Sequence, residues 1–312
     1  MMWRHDRSCG DGLDVRGHLV AGFLALDRLD DAAVRVELDQ LGDGCTPSDL
    51  WPSIALLGAQ YALHAGGAAD ALDQLDRVEA AHGGGPCTAA STALMMRARA
   101  DLLLACGCGG QAARVIRAEG GRLARVPVAR LRALSGGDAV GADDGVWADD
   151  DDTGVQWPSI RDDLELLLLH AVAASRGGDA RAARRLAIRA VGLHRRTGIL
   201  RPFATVATAD RVRLLTLAGG VLDPHDTARL AERAPVYPVR LIVVRLSRCE
   251  QNILEALAGT SSRQAIADSQ FVSVNTVKTQ LRSIYRKVGG TTREAILHHA
   301  REEGLLPIGG GR

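Results

Sequence analysis

Asn275, Lys278, Thr279, Arg282 and Arg286 recur at i, i+3, i+4, i+7 and i+11, the spacing that lines side chains along one face of an α-helix. The face holds cations and polar groups and contains no Asp or Glu. Guanidinium and ammonium groups one turn apart suit the acceptor atoms of the DNA major groove, such as N7 and O6 of guanine. Lys278 and Arg282 stand where they would reach base edges. Arg286 and Lys287, nearer the end of the same stretch, are expected over phosphates, which attract charge but carry no sequence information.

The stretch that must carry this face supplies its own helix signals. Val274, Val277, Leu281, Ile284 and Val288 recur at steps of three and four, so an apolar seam opposes the polar stripe and predicts a helix over 274–288. Ser273 can accept from the unpaired N–H groups of the first turn, and Gly289-Gly290 tolerates the left-handed conformation that ends a helix. A solvated basic face on an ordinary surface helix would look the same in isolation. Its neighbours argue otherwise. A shorter segment, Ser262 to Gln270, carries small apolar Ala265, Ile266 and Ala267 and joins the basic helix through the turn Phe271-Val272, giving helix, turn, helix. Upstream, Ser247 and Glu250 have the spacing of a capping box for a helix bearing Ile253, Leu254, Leu257 and Ala258. Downstream, Thr292 opens a last helix through Ala295, Ile296 and Leu297 that closes at Gly304.

These residues resemble the LuxR-type helix-turn-helix regulators, through Leu246-Ser247, Glu250, Ile253-Leu254, Ile266-Ala267, Val272-Ser273 and above all Thr276-Val277-Lys278. The continuation Leu281-Arg282-Ser283-Ile284-Tyr285-Arg286-Lys287, with Arg293-Glu294-Ala295 and Gly304-Leu305-Leu306, is similar to the version at the C-terminus of MalT-like regulators. The resemblance implies that Lys278, Thr279 and Arg282 touch base edges and that Ser273, Thr276 and Arg286 touch phosphates. It also implies a homodimer built through the fourth helix of the domain. Gln270 stands where an apolar Leu is usual, one turn after Ile266 on the face that should meet the recognition helix. If buried there without a partner, its amide would cost about 1–3 kcal/mol.

The rest of the 312-residue chain is 46% hydrophobic with only 3% aromatic residues, so its core must be Ala, Leu and Val, which favours packed helices. A net charge of +1 and a pI near 7.7 confine any nucleic-acid contact to a local patch. Residues 1–13 are expected to be disordered, like the tail 307–312. Neither a signal peptide nor an uncharged apolar run long enough for a membrane is present, so a cytoplasmic protein with no membrane contact is expected. Residues 14–235 read as helices in pairs. Leu63–Leu75, Leu104–Ile116 and Ala174–Leu186 are self-similar units with a Gly-rich turn and an Ala-rich second helix, and Leu24–Val36 is a weaker copy in which Asp30-Asp31 replaces the glycines. Such units stack into a tetratricopeptide-like superhelix whose concave surface would hold a small-molecule or protein effector. Residues 136–157 read as a flexible acidic loop. Prolines at 235 and 238 mark a hinge over 236–245, leading to the DNA-binding part at 246–306.

Several classes drop out. The only lysines are Lys278 and Lys287, so neither a phosphate-binding loop nor the lysine of a phospho-acceptor receiver domain exists. An enzyme needs a constellation, yet the histidines at 18, 64, 82, 170, 194 and 225 sit singly in helical text with no nucleophile motif beside them. Cys106-Gly-Cys108 has no second pair to complete a metal site and reads as two small buried residues at a helix end. The expectation is therefore an all-α regulator without catalytic residues, cofactor or metal. Tetratricopeptide-like repeats precede a four-helix LuxR-type domain that binds double-stranded DNA as a dimer. The competing reading is a repeat scaffold with a degenerate helix-turn-helix.

Overall fold

The computed structural model of the chain describes residues 12–42, 49–83, 88–119, 125–135 and 159–306, apart from 221, 242, 245 and 261. The described residues form sixteen α-helices and no strand, as the composition predicts. They are α1 (Gly12–Asp27), α2 (Asp31–Leu41), α3 (Trp51–Ala65), α4 (Ala68–Ala81), α5 (Ala89–Ala105), α6 (Gly109–Glu119), α7 (Arg125–Ser135), α8 (Ile160–Arg176), α9 (Ala180–Thr197), α10 (Arg201–Ala204), α11 (Thr208–Ala218), α12 (Pro224–Ala231), α13 (Arg248–Gly259), α14 (Arg263–Ser269), α15 (Val274–Val288) and α16 (Arg293–Glu302). The expected acidic loop, the tail 307–312 and residues 1–11 of the expected disordered start lie outside the described residues, while 12 and 13 belong to α1.

The four self-similar units are helical hairpins, α1–α2, α3–α4, α5–α6 and α8–α9. In each, the turn contains one residue in the left-handed region: Gly66 (φ 80°), Gly107 (φ 81°), Gly178 (φ 86°), and Leu29 (φ 57°) in the unit without glycines. A left-handed Leu costs about 1–2 kcal/mol. Leu29 is only 3% exposed, and burying it returns a similar amount. Asp30 then caps α2 by accepting from the Ala33 N–H at 3.1 Å. The Ala-rich second helices work through size, since Ala183, Ala187 and Ala190 are buried and let α9 lie close on α8.

The three largest cores position the rest. One lies among α3 to α7, a second among α8 to α12, and a third inside α13 to α16. A buried polar network joins α3, α5, α7, α8 and α10. Arg130, 2% exposed, donates to Asp101 and Glu165, Arg97 donates to Asp162 and Glu165, and Arg201 donates to Gln60, which donates on to Asp101 at 2.9 Å. Charges are this far from water only because each has several partners, and removing one would strand the others.

Among the described residues, no helix occurs between α12 and α13, in keeping with the prolines. The segment is nonetheless packed. Val236, Tyr237 and Leu241 are buried in the first core, and the Leu241 N–H donates to the Leu134 carbonyl at 2.9 Å. The Tyr237 hydroxyl accepts from Arg130 Nη1 at 2.6 Å, with that guanidinium 4.4 Å from the ring centre. At the end of α5, Cys106 is exposed rather than buried and Cys108 is half-buried, because the left-handed Gly107 turns the chain at the surface there. Both thiols are free, and burial pushes both up from their ordinary value.

Candidate nucleic-acid interface

Each helix of the C-terminal unit begins on a side-chain cap. Ser247, Ser262, Ser273 and Thr292 accept from the N–H three residues on, and Ser247 and Glu250 form the full capping box. Ile253 and Leu254 of α13, Ile266 and Ala267 of α14, Val277, Ile284 and Val288 of α15, and Ile296 and Ala300 of α16 meet in one core. Four of the five seam residues expected on α15 are buried, and Val274, at its first position, is half-buried. This seam fixes the roll of α15 and so aims its opposite face outward.

Asn275, Lys278, Thr279, Arg282 and Arg286 are all exposed on that opposite face. Among the described residues, no carboxylate lies within ion-pair distance of Lys278, Arg282 or Arg286, so three cations remain uncommitted. Thr279 Oγ1 donates to its own helix at the Asn275 carbonyl, 3.0 Å away. Ser273 is exposed, Thr276 half-buried, and their hydroxyls lie 2.9 Å apart at the N-terminal end of α15. The positive end of a helix with hydroxyls around it suits an anion.

Lys287 is not brought together with these residues. Its ammonium donates to Glu250 Oε2 at 2.6 Å, on the side of α15 that faces α13, and Ser283 one turn earlier donates to Glu250 Oε1 at 2.7 Å. The geometry is legible in retrospect, because Lys287 lies about 100° around the helix from Arg286 and i+4 from Ser283. Burial pushes the Glu250 carboxyl up, but the donors from Lys287, Ser283 and the Ser247 N–H outweigh it and hold its pKa at about 2. Glu250 is thus the tie between the cap of α13 and the back of α15. Gln270 is half-buried at the C-terminal cap of α14, so its amide keeps access to water and the expected desolvation cost does not arise.

One residue at this surface was not singled out in the sequence. Phe271, in the turn before α15, is 96% exposed and has φ 55°. An aromatic letter inside a turn was the available signal.

The far edge of the unit rests on the helical hairpins. Gln111 Nε2 donates to the Glu302 carbonyl at 2.6 Å, and Arg114 Nη2 donates to the Leu306 carbonyl at 3.1 Å. A Cβ at position 110 would overlap the Glu303 carbonyl oxygen, and one at position 304 would stand 2.7 Å from the Gln111 Cα. The stripe on α15 stays exposed while this edge is held. Elsewhere, Asp223, His225 and Asp226 bring possible metal-ligand atoms within 4.8 Å of one another. Asp223 is occupied as the cap of α12, however, and Asp226 lies 3.0 Å from the buried His194.

Residues 244–300 match a family model described as bacterial regulatory proteins, luxR family. The chain therefore carries a LuxR-type helix-turn-helix domain, the domain of DNA-binding transcription regulators, on α13 to α16. No curated protein and no solved structure matches the chain. The resemblance of residues 14–235 to the repeat region of MalT-like regulators has no counterpart in these comparisons. Among the described residues, no helix is long and apolar enough to cross a membrane.

Proposed function

We propose that the chain is a sequence-specific transcription regulator of the cytoplasm in which α15 enters the major groove. Lys278, Arg282, Thr279 and Asn275 read base edges, while Ser273, Thr276 and Arg286 hold the phosphate backbone. The observation that carries this reading is the exposed stripe on α15 with its three uncommitted cations and no acid. Lys287, tied to Glu250, contributes by bracing α15 from behind. The protein binds as a homodimer, each copy offering the face of α16 on which Glu294, His298 and Glu302 are exposed one turn apart. Residues 14–235 act as a tetratricopeptide-like body that tunes DNA affinity on binding a small molecule or a protein. Support for this coupling comes from Tyr237, which links the segment before the DNA-binding domain to the buried network of the hairpins.

A base contact and a phosphate contact differ in kind, and this supplies the test. Lys278→Ala should cost about 1–3 kcal/mol on a selected site and relax the preference at one base pair, whereas Arg286→Ala should weaken all sequences alike and lower the salt slope by about one. Both variants are measured on a selected and a scrambled duplex over a salt series. Equal losses on the two duplexes for Lys278→Ala would assign this lysine to the backbone and move base reading to Arg282, Thr279 or Asn275. Failure of the unaltered chain to bind any duplex after random-sequence selection would remove the reading altogether.

A further inference from the structure

The chain has three phenylalanines, and one of them, Phe271, stands almost wholly in water. Its φ of 55° is one that large L-residues avoid, and one of only two positive values among the described non-glycine residues. The other belongs to Leu29, whose side chain is buried, so packing offsets its strain. No such packing offsets the strain at Phe271, whose ring is exposed; its backbone only closes the turn after α14, with its own N–H 3.4 Å from the Asp268 carbonyl. Val272 and Ser273, the next residues, already close the turn, through the Val272 N–H to the Ala267 carbonyl at 3.0 Å and through the cap of α15. Gly or Asn would serve the turn better.

We infer that Phe271 is a docking residue for DNA, its ring packing on the deoxyribose of the backbone at the rim of the major groove. The inference rests on α15 being the reading helix. In helix-turn-helix docking, the N-terminal residues of the recognition helix reach the bases while the preceding helix crosses the backbone, which puts the turn between them at the groove edge. Phe271 is in that turn, two residues before Ser273, beside a stripe whose charge already selects a polyanion. A sugar is the part of that polyanion with an apolar face. Such a contact adds affinity without charge and without reading sequence, so it is independent of both salt and base identity.

The test uses the full-length chain with Phe271→Asn and, as a second variant, Phe271→Gly, both of which accept a positive φ. The melting temperature should hold or rise. Affinity should fall about tenfold, on the scale of burying roughly half of one phenylalanine ring, equally on a selected and a scrambled duplex and with an unchanged salt slope. A loss confined to the selected duplex would place the ring on a base, such as a thymine methyl, and overturn the backbone assignment. Unchanged affinity in both variants would overturn DNA docking by this residue, while binding by the unaltered chain would leave the reading of α15 standing. A fall in melting temperature equal to that of a core truncation would show that the ring is needed by the fold instead.

Discussion

Glu250 ties the start of α13 to the back of α15 through Ser247, Ser283 and Lys287. Its ordinary pKa is 4.5, and in the fold it is held at about 2, so the folded state binds its proton later than the unfolded state does. Its contribution is therefore complete above about pH 4.5 and disappears as the pH falls toward 2. Glu250→Gln should lower stability at neutral pH by about 2 kcal/mol, leaving the Lys287 ammonium without its carboxylate, and should flatten the acid limb of a stability–pH curve between those two values. Thermal melts of both proteins from pH 2 to pH 7 check this, and parallel curves would show that the carboxylate is not what the acid limb titrates. The sequence announced Glu250 as a cap through its distance from Ser247, since capping is local. Its bond to Lys287 crosses 37 residues, and helical periodicity says only that a side chain leaves the stripe, not what waits on the other side.

Helices, their caps and the hairpins were legible because each is settled within a few residues of the chain. Ser273, Thr292, the capping box and the glycine turns all sit where the spacing puts them. The segment 236–245 was legible only in part. Prolines do end the helical pattern, but what holds a non-helical segment is decided by partners far away in sequence, here Arg130 and Leu134. An unusual concentration of Val, Tyr, Leu and Ile around two prolines was the available hint. Tyr237 separates the two roles of its side chain cleanly. Tyr237→Phe keeps the ring and removes only the acceptor for Arg130, which retains Asp101 and Glu165, and should cost about 1 kcal/mol. Tyr237→Ala empties a buried site and should cost about 3–5 kcal/mol. It should also open 236–245 to limited proteolysis, which the Phe variant should resist. Equal cleavage of both variants would mean that the hydroxyl, not the ring, is what fastens the segment.

At the scale of the whole molecule, the two halves meet through α6 and the end of α16, where main chain closes on main chain at Gly110 and Gly304 and the Gln111 and Arg114 side chains donate to carbonyls of the far side. Gly110→Ala puts two preferences in opposition. Alanine favours the first turn of α6 by about 1 kcal/mol, whereas its methyl group would overlap the Glu303 carbonyl. The expected outcome is an undocked but folded protein, with faster hydrogen exchange at residues 303–306 and a larger radius in small-angle scattering. Unchanged exchange there would show that the contact yields without separating. Nothing in the sequence pairs Gly110 with Gly304, since Gly304 has its own reason in a φ of 66° and Gly110 reads only as part of the glycine-rich stretch at the start of α6. The contact also shapes how the protein can change over generations. Side chains that make no bond across this border are free to drift, so substitutions at seam positions other than Gln111 and Arg114 should leave docking intact. Positions 110 and 304 admit no side chain at all, and a saturation library scored for docking should return glycine at both.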